Sequence, residues 1–292
     1  MRRRYREKSY KCGEFLEVDI YPTFEVTPRR RKARYKATTA MQERLNQKNA
    51  ERELIRILNT NFSEGDLSVT LTYRDDVLPE CEEAAMRDVK NFLRRVKRVR
   101  AKRGLSEMRY VIIPGDGRYH FHVAMSGGLS DLELARIWGL GRVNTISFQL
   151  DEHGLEGHAC YVARQYIEDQ YGGADLLSAL TVDEETGEVV DKKRKKGQRR
   201  YICSKNIERP TVERRDGRIS ARRVEELATY DNGAAAVFEK LYPGYTFAGC
   251  IPYYNDENGG YYLQIKMYKK DAAFMKRRRG RGGAGNGQNT NF

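Results

Sequence analysis

The sequence predicts an α+β fold in which a central antiparallel sheet is flanked by helices. The first reason is the order of the predicted elements, which is helix, strand, helix, strand, strand, helix, strand, helix. The second is the tight turn "GDG", which separates two apolar strands and returns the chain antiparallel to itself. Helices mixed with directly joined strands are typical of α+β folds rather than of doubly wound parallel sheets.

The N-terminal part, residues 1–62, is predicted to be a basic extension that ends in a helix. Its stretch "FLEVDIYPTFEV" has the β-branched and aromatic residues of a short strand. The helix is predicted over Met41–Asn61, with Thr38 or Thr39 as its N-cap.

The next two elements are a strand and an amphipathic helix. Apolar and hydroxyl residues alternate over Leu67–Tyr73, which predicts a strand with one buried face. A helix is predicted to begin after Pro79, because the acidic residues that follow favour the positive end of the helix dipole. The predicted buried stripe of this helix consists of apolar residues three or four apart: Ala85, Val89, Phe92, Val96 and Val99.

Further strands and helices complete the prediction. "RYVIIP" and "RYHFHVAM" are the strands on either side of "GDG", and "RVNTISFQL" is a later strand. Helices are predicted over Ser130–Trp138, with Ser130 as N-cap, and over Gly157–Gln170. "YTFAGCIPYY" and "GYYLQIKMYK" predict a late hairpin.

These elements suggest a core domain over residues 63–172. We expect a charged insertion loop at 173–200, because it contains the run "KKRKKGQRR". Residues 201–275 are predicted to form a C-terminal part whose hairpin packs on the core. The low-complexity stretch at 276–292 is predicted to be a disordered basic tail.

The charge balance points to a polyanionic partner. Lys and Arg total 54 against 41 for Asp and Glu, which gives a net charge of +13. The excess concentrates in five clusters: Arg2–Arg6, Arg29–Lys36, Lys90–Arg103, Lys192–Arg200 and Lys276–Arg281. Separated basic clusters of this kind are typical of nucleic-acid binding.

The sequence contains no pattern typical of a secreted or membrane protein. The five cysteines are far apart and include no CxxC pair, which fits a reducing compartment. The N-terminus lacks the apolar segment of a signal peptide, and no apolar run approaches the ~20 residues of a membrane span. We therefore expect a cytoplasmic protein without a membrane partner.

The histidine distribution suggests a metal site. The chain has four histidines, of which His120 and His122 are separated only by Phe121. Alternation along a strand places both imidazoles on one face, where they can converge on one metal ion. The competing interpretation is that two histidines on a solvated sheet face make ordinary hydrogen bonds.

A metal site would need a third ligand, for which the sequence offers two candidates. Asp116, in the turn before the histidine strand, is preferred over His158 on the later helix, and His153 is interpreted as a surface residue. Two imidazoles and one carboxylate leave coordination positions open, as catalytic sites do. Mixed nitrogen and oxygen ligation suits Mn²⁺, and Mg²⁺ can also serve.

The later helix supplies a candidate nucleophile. Tyr161 and Arg164 are three residues apart and therefore lie on one helical face. On helix spacing alone, Tyr161 can equally be a core aromatic residue.

"LSVTLTY", "RYHFHV" and the helix carrying "YVAR" resemble, in this order, the three motifs of HUH endonucleases, the rolling-circle replication initiators. The resemblance is closer still to the replication-associated proteins of bacterial mobile elements and phage-like replicons. It also includes "FLEVDIYP", "NFLRRVKR", "YICSKNIERP" and "YYLQIKMYKKD", and runs from about residue 8 to about residue 271. It implies that residues 63–172 are an HUH endonuclease core with an RNA-recognition-like palm.

The resemblance implies an enzyme that nicks single-stranded DNA at an origin or hairpin and can rejoin it. His120, His122 and Asp116 would hold Mn²⁺ or Mg²⁺, Tyr161 would form a 5′-phosphotyrosine and leave a 3′-OH primer, and Arg164 would support it. The residues expected to bind the DNA backbone are Lys90, Arg94, Lys97, Arg98 and Arg118.

Two positions depart from the family pattern. Related sequences carry a Glu shortly before the histidine pair, where this chain reads "IIPGDGRYH", so Asp116 must substitute for it or the ligand lies elsewhere. Arg164 stands where the third motif has Lys, and a guanidinium does not release a proton as an ammonium can.

Other interpretations of the sequence remain open. The same chemistry would serve a mobilisation relaxase or a single-tyrosine transposase, and a non-catalytic single-strand-binding module would use the same sheet. Tyrosines of the late hairpin, Tyr253, Tyr254, Tyr261 and Tyr262, can stack on bases or simply pack the sheet. No GxxxxGK[ST] motif is present, so unwinding and copying are expected from a separate helicase and a host polymerase.

Overall fold

The computed structural model of the chain describes residues 4–23, 40–115, 118–159, 181–182, 189–190, 201–229, 233–255 and 259–275. It confirms the α+β prediction, with two five-stranded antiparallel sheets flanked by helices. The chain divides into two compact units. The first contains residues 1–46, 150–154 and 209–292, and the second contains residues 47–149 and 155–208.

The helices are α1 (Ala40–Asn61), α2 (Glu82–Lys102), α3 (Asp131–Trp138), α4 (Ala221–Thr229) and α5 (Ala234–Leu241), with a 3-10 turn at Asp75–Val77. The strands are β1 (Arg4–Cys12), β2 (Phe15–Thr23), β3 (Leu67–Thr72), β4 (Tyr110–Pro114), β5 (His120–Met125), β6 (Val143–Ser147), β7 (Thr181–Val182), β8 (Val189–Val190), β9 (Ile202–Cys203), β10 (Thr211–Asp216), β11 (Tyr245–Asn255) and β12 (Gly260–Lys269). Among the described residues, no helix combines the length and apolarity that a membrane span needs.

The sheet of the second unit has the order β6-β3-β5-β4-β9. Because β4 and β5 flank the "GDG" turn and pair antiparallel, the predicted strand pair is confirmed. The register places Thr70 of β3 opposite His122, and Thr72 opposite His120. The histidine strand is therefore the central strand of the sheet, with a hydroxyl-bearing strand beside it.

One face of this sheet is covered by α2 and α3. The strand residues of its core are Leu67, Val69, Leu71, Phe121, Val123 and Met125, and the helix residues include Ala85, Val89, Phe92, Val96 and Trp138. Val99 packs against this cluster while partly buried, so the predicted stripe of α2 is confirmed. Ser130 caps α3 in a capping box with Glu133, as predicted for this N-cap. Alternation then directs His120 and His122 to the opposite face.

The sheet of the first unit has the order β10-β1-β2-β12-β11. The predicted late hairpin is confirmed as β11 and β12, and β12 pairs with β2. Strands β1 and β10 and helices α4 and α5 are not predicted from the sequence. The two helices pack on this sheet through buried residues that include Val224, Leu227 and Phe238.

Several sequence predictions lie on residues that the structure does not describe. These are the caps Thr38 and Thr39, the tail at 276–292, and the insertion at 173–200 apart from the antiparallel pair β7 and β8. The turn residue Asp116 and the helix residues 160–170 also lie outside the described ranges.

Candidate active site

The two imidazoles lie close together on one face of the sheet. The ring centroids of His120 and His122 are 5.1 Å apart, and the ring planes are nearly perpendicular at 88°. His122 is buried, with 5% of its surface exposed, whereas His120 is half-buried. The competing interpretation of two histidines on an open, solvated face is therefore wrong for His122.

The tautomer of His120 follows from its hydrogen bond to the backbone. Its Nδ1 lies 2.9 Å from the carbonyl oxygen of Arg118. Because a carbonyl oxygen can only accept, Nδ1 must carry the proton when the ring is neutral, and Nε2 then carries the lone pair. This is how metal-binding histidines are usually held, with one nitrogen on a carbonyl and the other directed to the ion.

His122 is held in a similar way by a side chain on the neighbouring strand. Its Nδ1 lies 3.2 Å from the Oγ1 of Thr70, directly across the β3–β5 pair. A threonine hydroxyl can accept from Nδ1, and in that tautomer the Nε2 of His122 carries the second lone pair on this face. The distance and the strand register together make Thr70 a positioning residue for the second imidazole.

Gly115 gives His120 the space that its ring occupies. A Cβ at position 115 would lie 2.0 Å from the Nε2 of His120 and 2.2 Å from its Cε1. The Gly115 N–H also donates to the carbonyl oxygen of His120 at 2.9 Å, which closes the β4–β5 connection. The imidazole therefore packs directly on glycine backbone, and any side chain at position 115 would displace it.

Arg118 places a cation at the same end of β5. Its Nη2 donates to the carbonyl oxygen of Tyr73 at 2.8 Å, and its Nη1 lies 2.6 Å from the Oδ1 of Asp75. Half of the Arg118 side chain is exposed, and so is most of Asp75. The guanidinium is thus oriented by the end of β3 but still accessible to a phosphate.

A helical segment at 156–159 begins on the histidine face of the sheet. The ring of His158 contacts that of Phe148, with centroids 5.0 Å apart, and Phe148 continues β6 on the face that carries Thr70 and the imidazoles. The Leu155 N–H donates to Oδ1 of Asn59 at 2.8 Å, which ties the start of the segment to α1. Burial lowers the pKa of His158 below its usual value, because the charged imidazole loses hydration.

Of the predicted site residues, the structure brings His120, His122 and Arg118 together at one end of β5. Asp116, Tyr161 and Arg164 lie outside the described residues, so their assignments stay predictions. Within the described ranges, no set of three His, Cys, Asp or Glu side chains is arranged to hold a metal ion.

The other predicted DNA-binding residues lie on the opposite side of the sheet. Lys90, Arg94, Lys97 and Arg98 are all exposed on α2, which covers the face that does not carry the imidazoles. Lys97 pairs with Glu107 at 3.0 Å. A strand bound at the histidines could reach these cations only by passing around the edge of the sheet.

Sequence reasoning does not single out Thr70 or Gly115. The alternation of β3 puts Thr70 on the hydroxyl face of its strand, but only the register shows that it is opposite His122. Gly115 reads from the sequence only as part of the turn. A glycine at the end of an apolar strand can indicate close backbone approach, and this is the signal that could find it.

Residues 66–170 match the sequence model of a family described as replication-associated protein ORF2. The matched range begins just before β3, includes both histidines and ends within the predicted helix that carries Tyr161. No curated protein and no solved structure matches the chain. The family match supports a role as a replication initiator.

Proposed function

We propose that this chain is a rolling-circle replication initiator that nicks and rejoins single-stranded DNA through a covalent tyrosine intermediate. The observation that carries the proposal is the pair of adjacent imidazoles whose Nδ1 atoms face the Arg118 carbonyl and the Thr70 hydroxyl. In this tautomer both Nε2 atoms carry the lone pair, which is the form that binds a metal ion. The family match over residues 66–170 supports the biological role.

The donor set fits a divalent first-row cation. His120 and His122 would supply two nitrogens, and Asp116 is proposed as the oxygen ligand, so Mn²⁺ or Mg²⁺ is expected. When bound, such an ion stabilises negative charge that develops on a phosphate oxygen, which is worth several kcal/mol. The chain's part is to hold both imidazoles neutral and in one orientation before the ion arrives.

Tyr161 is proposed as the nucleophile. Its phenol oxygen forms a bond to phosphorus as the bond from phosphorus to the 3′ oxygen breaks, and the phenol proton is replaced overall by a proton on that 3′ oxygen. One phosphodiester is exchanged for another, so the 3′-OH can later attack the phosphotyrosine and restore the DNA strand without ATP. The product before rejoining is a 5′-phosphotyrosine and a free 3′-OH primer.

Two arginines are proposed to assist this step. Arg164, three residues after Tyr161, would lower the pKa of the phenol by its positive charge and would hold a phosphate through two N–H donors. Arg118, with its guanidinium turned to the end of β3 at 2.8 Å from the Tyr73 carbonyl, would hold the neighbouring phosphate of the DNA strand. Neither arginine is expected to carry protons.

The substrate would be single-stranded DNA at an origin or an extruded hairpin, because attack on phosphorus needs an accessible backbone. A separate helicase and a host polymerase are proposed to unwind and copy the DNA. The same chemistry in a mobilisation relaxase or a single-tyrosine transposase differs in the DNA site that is cut.

The test is the formation of a covalent adduct between the full chain and single-stranded oligonucleotides that carry origin-like hairpins. With Mn²⁺ or Mg²⁺ we expect a protein–DNA band that resists denaturation, and mass spectrometry should locate the DNA on Tyr161. The variant Y161F should lose the adduct and retain binding, whereas the matched variant Y166F should behave as wild type.

Two outcomes would overturn the proposal. An adduct that forms equally well in Y161F would exclude Tyr161 as the nucleophile. Binding without any adduct across a broad set of hairpins, with both metals, would leave only a single-strand-binding module.

A further inference from the structure

Three tyrosines from neighbouring strands stack on the sheet of the first unit. The rings of Tyr21 on β2 and Tyr262 on β12 have centroids 6.2 Å apart with planes at 13°, and Tyr262 and Tyr253 on β11 are 4.8 Å apart at 21°. The row runs across the sheet and ends at Tyr253, because β11 is the edge strand. We call these three residues the tyrosine row.

The tyrosine row lies on the sheet face that the helices do not cover. Ile20 and Leu263, each next in sequence to a tyrosine of the row, belong to the core beneath α4 and α5. Alternation therefore directs Tyr21 and Tyr262 to the other face, and the register places Tyr253 opposite Tyr262. At the far end of the same face, Phe274 covers Phe15 in a stacked contact at 5.9 Å.

The uncovered end of this face combines exposed aromatic surface with cations. Tyr253 is 52% exposed and Ile251, two residues away on the same strand, is 53% exposed. Arg6, Lys8 and Arg214 lie on the same face by strand alternation and pairing, Arg6 being opposite Tyr21 and Lys8 being opposite Arg214.

Part of that charge is balanced within the sheet. Arg6 binds Asp216 at 2.6 Å, and Asp19 lies opposite Lys8. Arg214 is exposed. The face therefore keeps a positive excess beside the rings, in a chain whose net charge is +13.

We infer that the tyrosine row is a second binding surface for single-stranded DNA, on which unpaired bases stack while the neighbouring cations contact the phosphates. Aromatic rings beside basic side chains on an open sheet are the combination that binds single strands with little sequence preference. The identification of the strand as DNA rests on the proposed function, whereas the stacking surface itself does not. In replication it would hold DNA flanking the nick, away from the imidazoles.

Adjacent residues supply a matched control. Tyr254 is 51% exposed, almost the same as Tyr253, but it pairs with Tyr261, which packs on the helix-covered core. The two tyrosines thus share strand, exposure and residue type but lie on opposite faces of the sheet. Y253A and Y254A distinguish this surface from a general effect of tyrosines in the hairpin.

The experiment measures the affinity of the full chain for a dT oligonucleotide containing 2-aminopurine, in EDTA, by anisotropy and by fluorescence of the modified base. Loss of one stacked base costs ~1–3 kcal/mol, so Y253A should bind about 5- to 150-fold more weakly. The fluorescence quenching on binding should also diminish. Y254A should match wild type in both readouts, and Y253W should retain binding because stacking needs a ring rather than a hydroxyl.

Equal weakening in Y253A and Y254A, or none in Y253A, would refute the tyrosine row as a DNA surface; in the second case a protein occupant would be the next candidate. Thermal unfolding of each variant checks that the fold is retained. The two proposals fail separately, since EDTA binding does not depend on nicking. Adduct formation with wild-type-like binding by Y253A would reject only the tyrosine row, and Tyr253-dependent binding without any adduct would reject only the nickase.

Discussion

The variant G115A tests the geometry of the imidazole pair most sharply. The added methyl carbon would lie 2.0 Å from Nε2, 2.2 Å from Cε1 and 2.5 Å from Cδ2 of His120. Ordinary contacts between such atoms are about 3.5 Å, so the ring must shift by more than ~1 Å. All three contacts lie on the ring edge that carries Nε2, which is the atom proposed to bind the ion.

A shift of this size should weaken both metal binding and catalysis. Loss of the group that orients a ligand typically costs about 10- to 100-fold in metal affinity or activity, and a misplacement of ~1 Å has a similar effect on rate. We therefore expect G115A to bind Mn²⁺ about 10- to 100-fold more weakly in an electron paramagnetic resonance titration. Covalent adduct formation should decrease in parallel.

The control for this variant is G244A. A Cβ at position 244 meets nothing within 4 Å, and the backbone there is not in the left-handed region, so a methyl group should be tolerated. G244A should therefore bind Mn²⁺ as wild type does. If G115A keeps wild-type Mn²⁺ affinity while its melting temperature is unchanged, the proposed position of the His120 ring in the metal site is refuted.

Three further predictions address the surroundings of the site. T70V removes the oxygen 3.2 Å from Nδ1 of His122 and should weaken Mn²⁺ binding about 10- to 100-fold in the same titration. Because burial lowers the pKa of His158, the unfolded chain takes up the proton first as the pH falls. Wild-type stability in urea should therefore decline below about pH 6.5, by at most ~1.4 kcal/mol per pH unit from this group, and H158F should decline less. The double variant R94Q/R98Q should lower the slope of log affinity for DNA against log salt by up to about 2, because each lost phosphate contact removes about 0.7 to 0.9.

Each of these predictions has a contradicting result. T70S keeps the hydroxyl and should restore Mn²⁺ affinity; if T70V and T70S are equally weak, the hydrogen bond is not the cause. Equal acid sensitivity of wild type and H158F would show that His158 does not couple to folding. An unchanged salt slope in R94Q/R98Q would remove the exposed face of α2 from the DNA path.

Where a face is buried by apolar side chains, the sequence predicts the element well. β3, β5 and α2 carry apolar residues at the period of their secondary structure, and all three bury that face in one core. The placement of His120 and His122 on the other face follows directly from this alternation.

The strand β1 shows why other elements cannot be found in the same way. Its buried positions include Glu7, which accepts hydrogen bonds from Tyr242 at 2.6 Å and from Arg218 at 2.9 Å. These partners lie more than 200 residues away in sequence, so the strand shows polar rather than apolar alternation. β10 escapes prediction because it is largely exposed on both faces.

The site is predictable as a pair of ligands but not as a supported pair. That His122 contacts Thr70 depends on strand register, and that His120 packs on Gly115 depends on the path of the β4–β5 connection. Neither can be obtained from spacing along one strand. The side of the sheet covered by α2 likewise depends on packing, and it separates the predicted DNA-binding residues of that helix from the imidazoles.

The most direct measurement is electron spin-echo envelope modulation of Mn²⁺ bound to the full chain. Coordination through Nε2 leaves the Nδ1 atoms of His120 and His122 as remote nitrogens, so two imidazole couplings should appear, with one lost in H120A and one in H122A. Mn²⁺ that binds without nitrogen couplings, or with couplings unchanged in both variants, would contradict a cation held between these two rings.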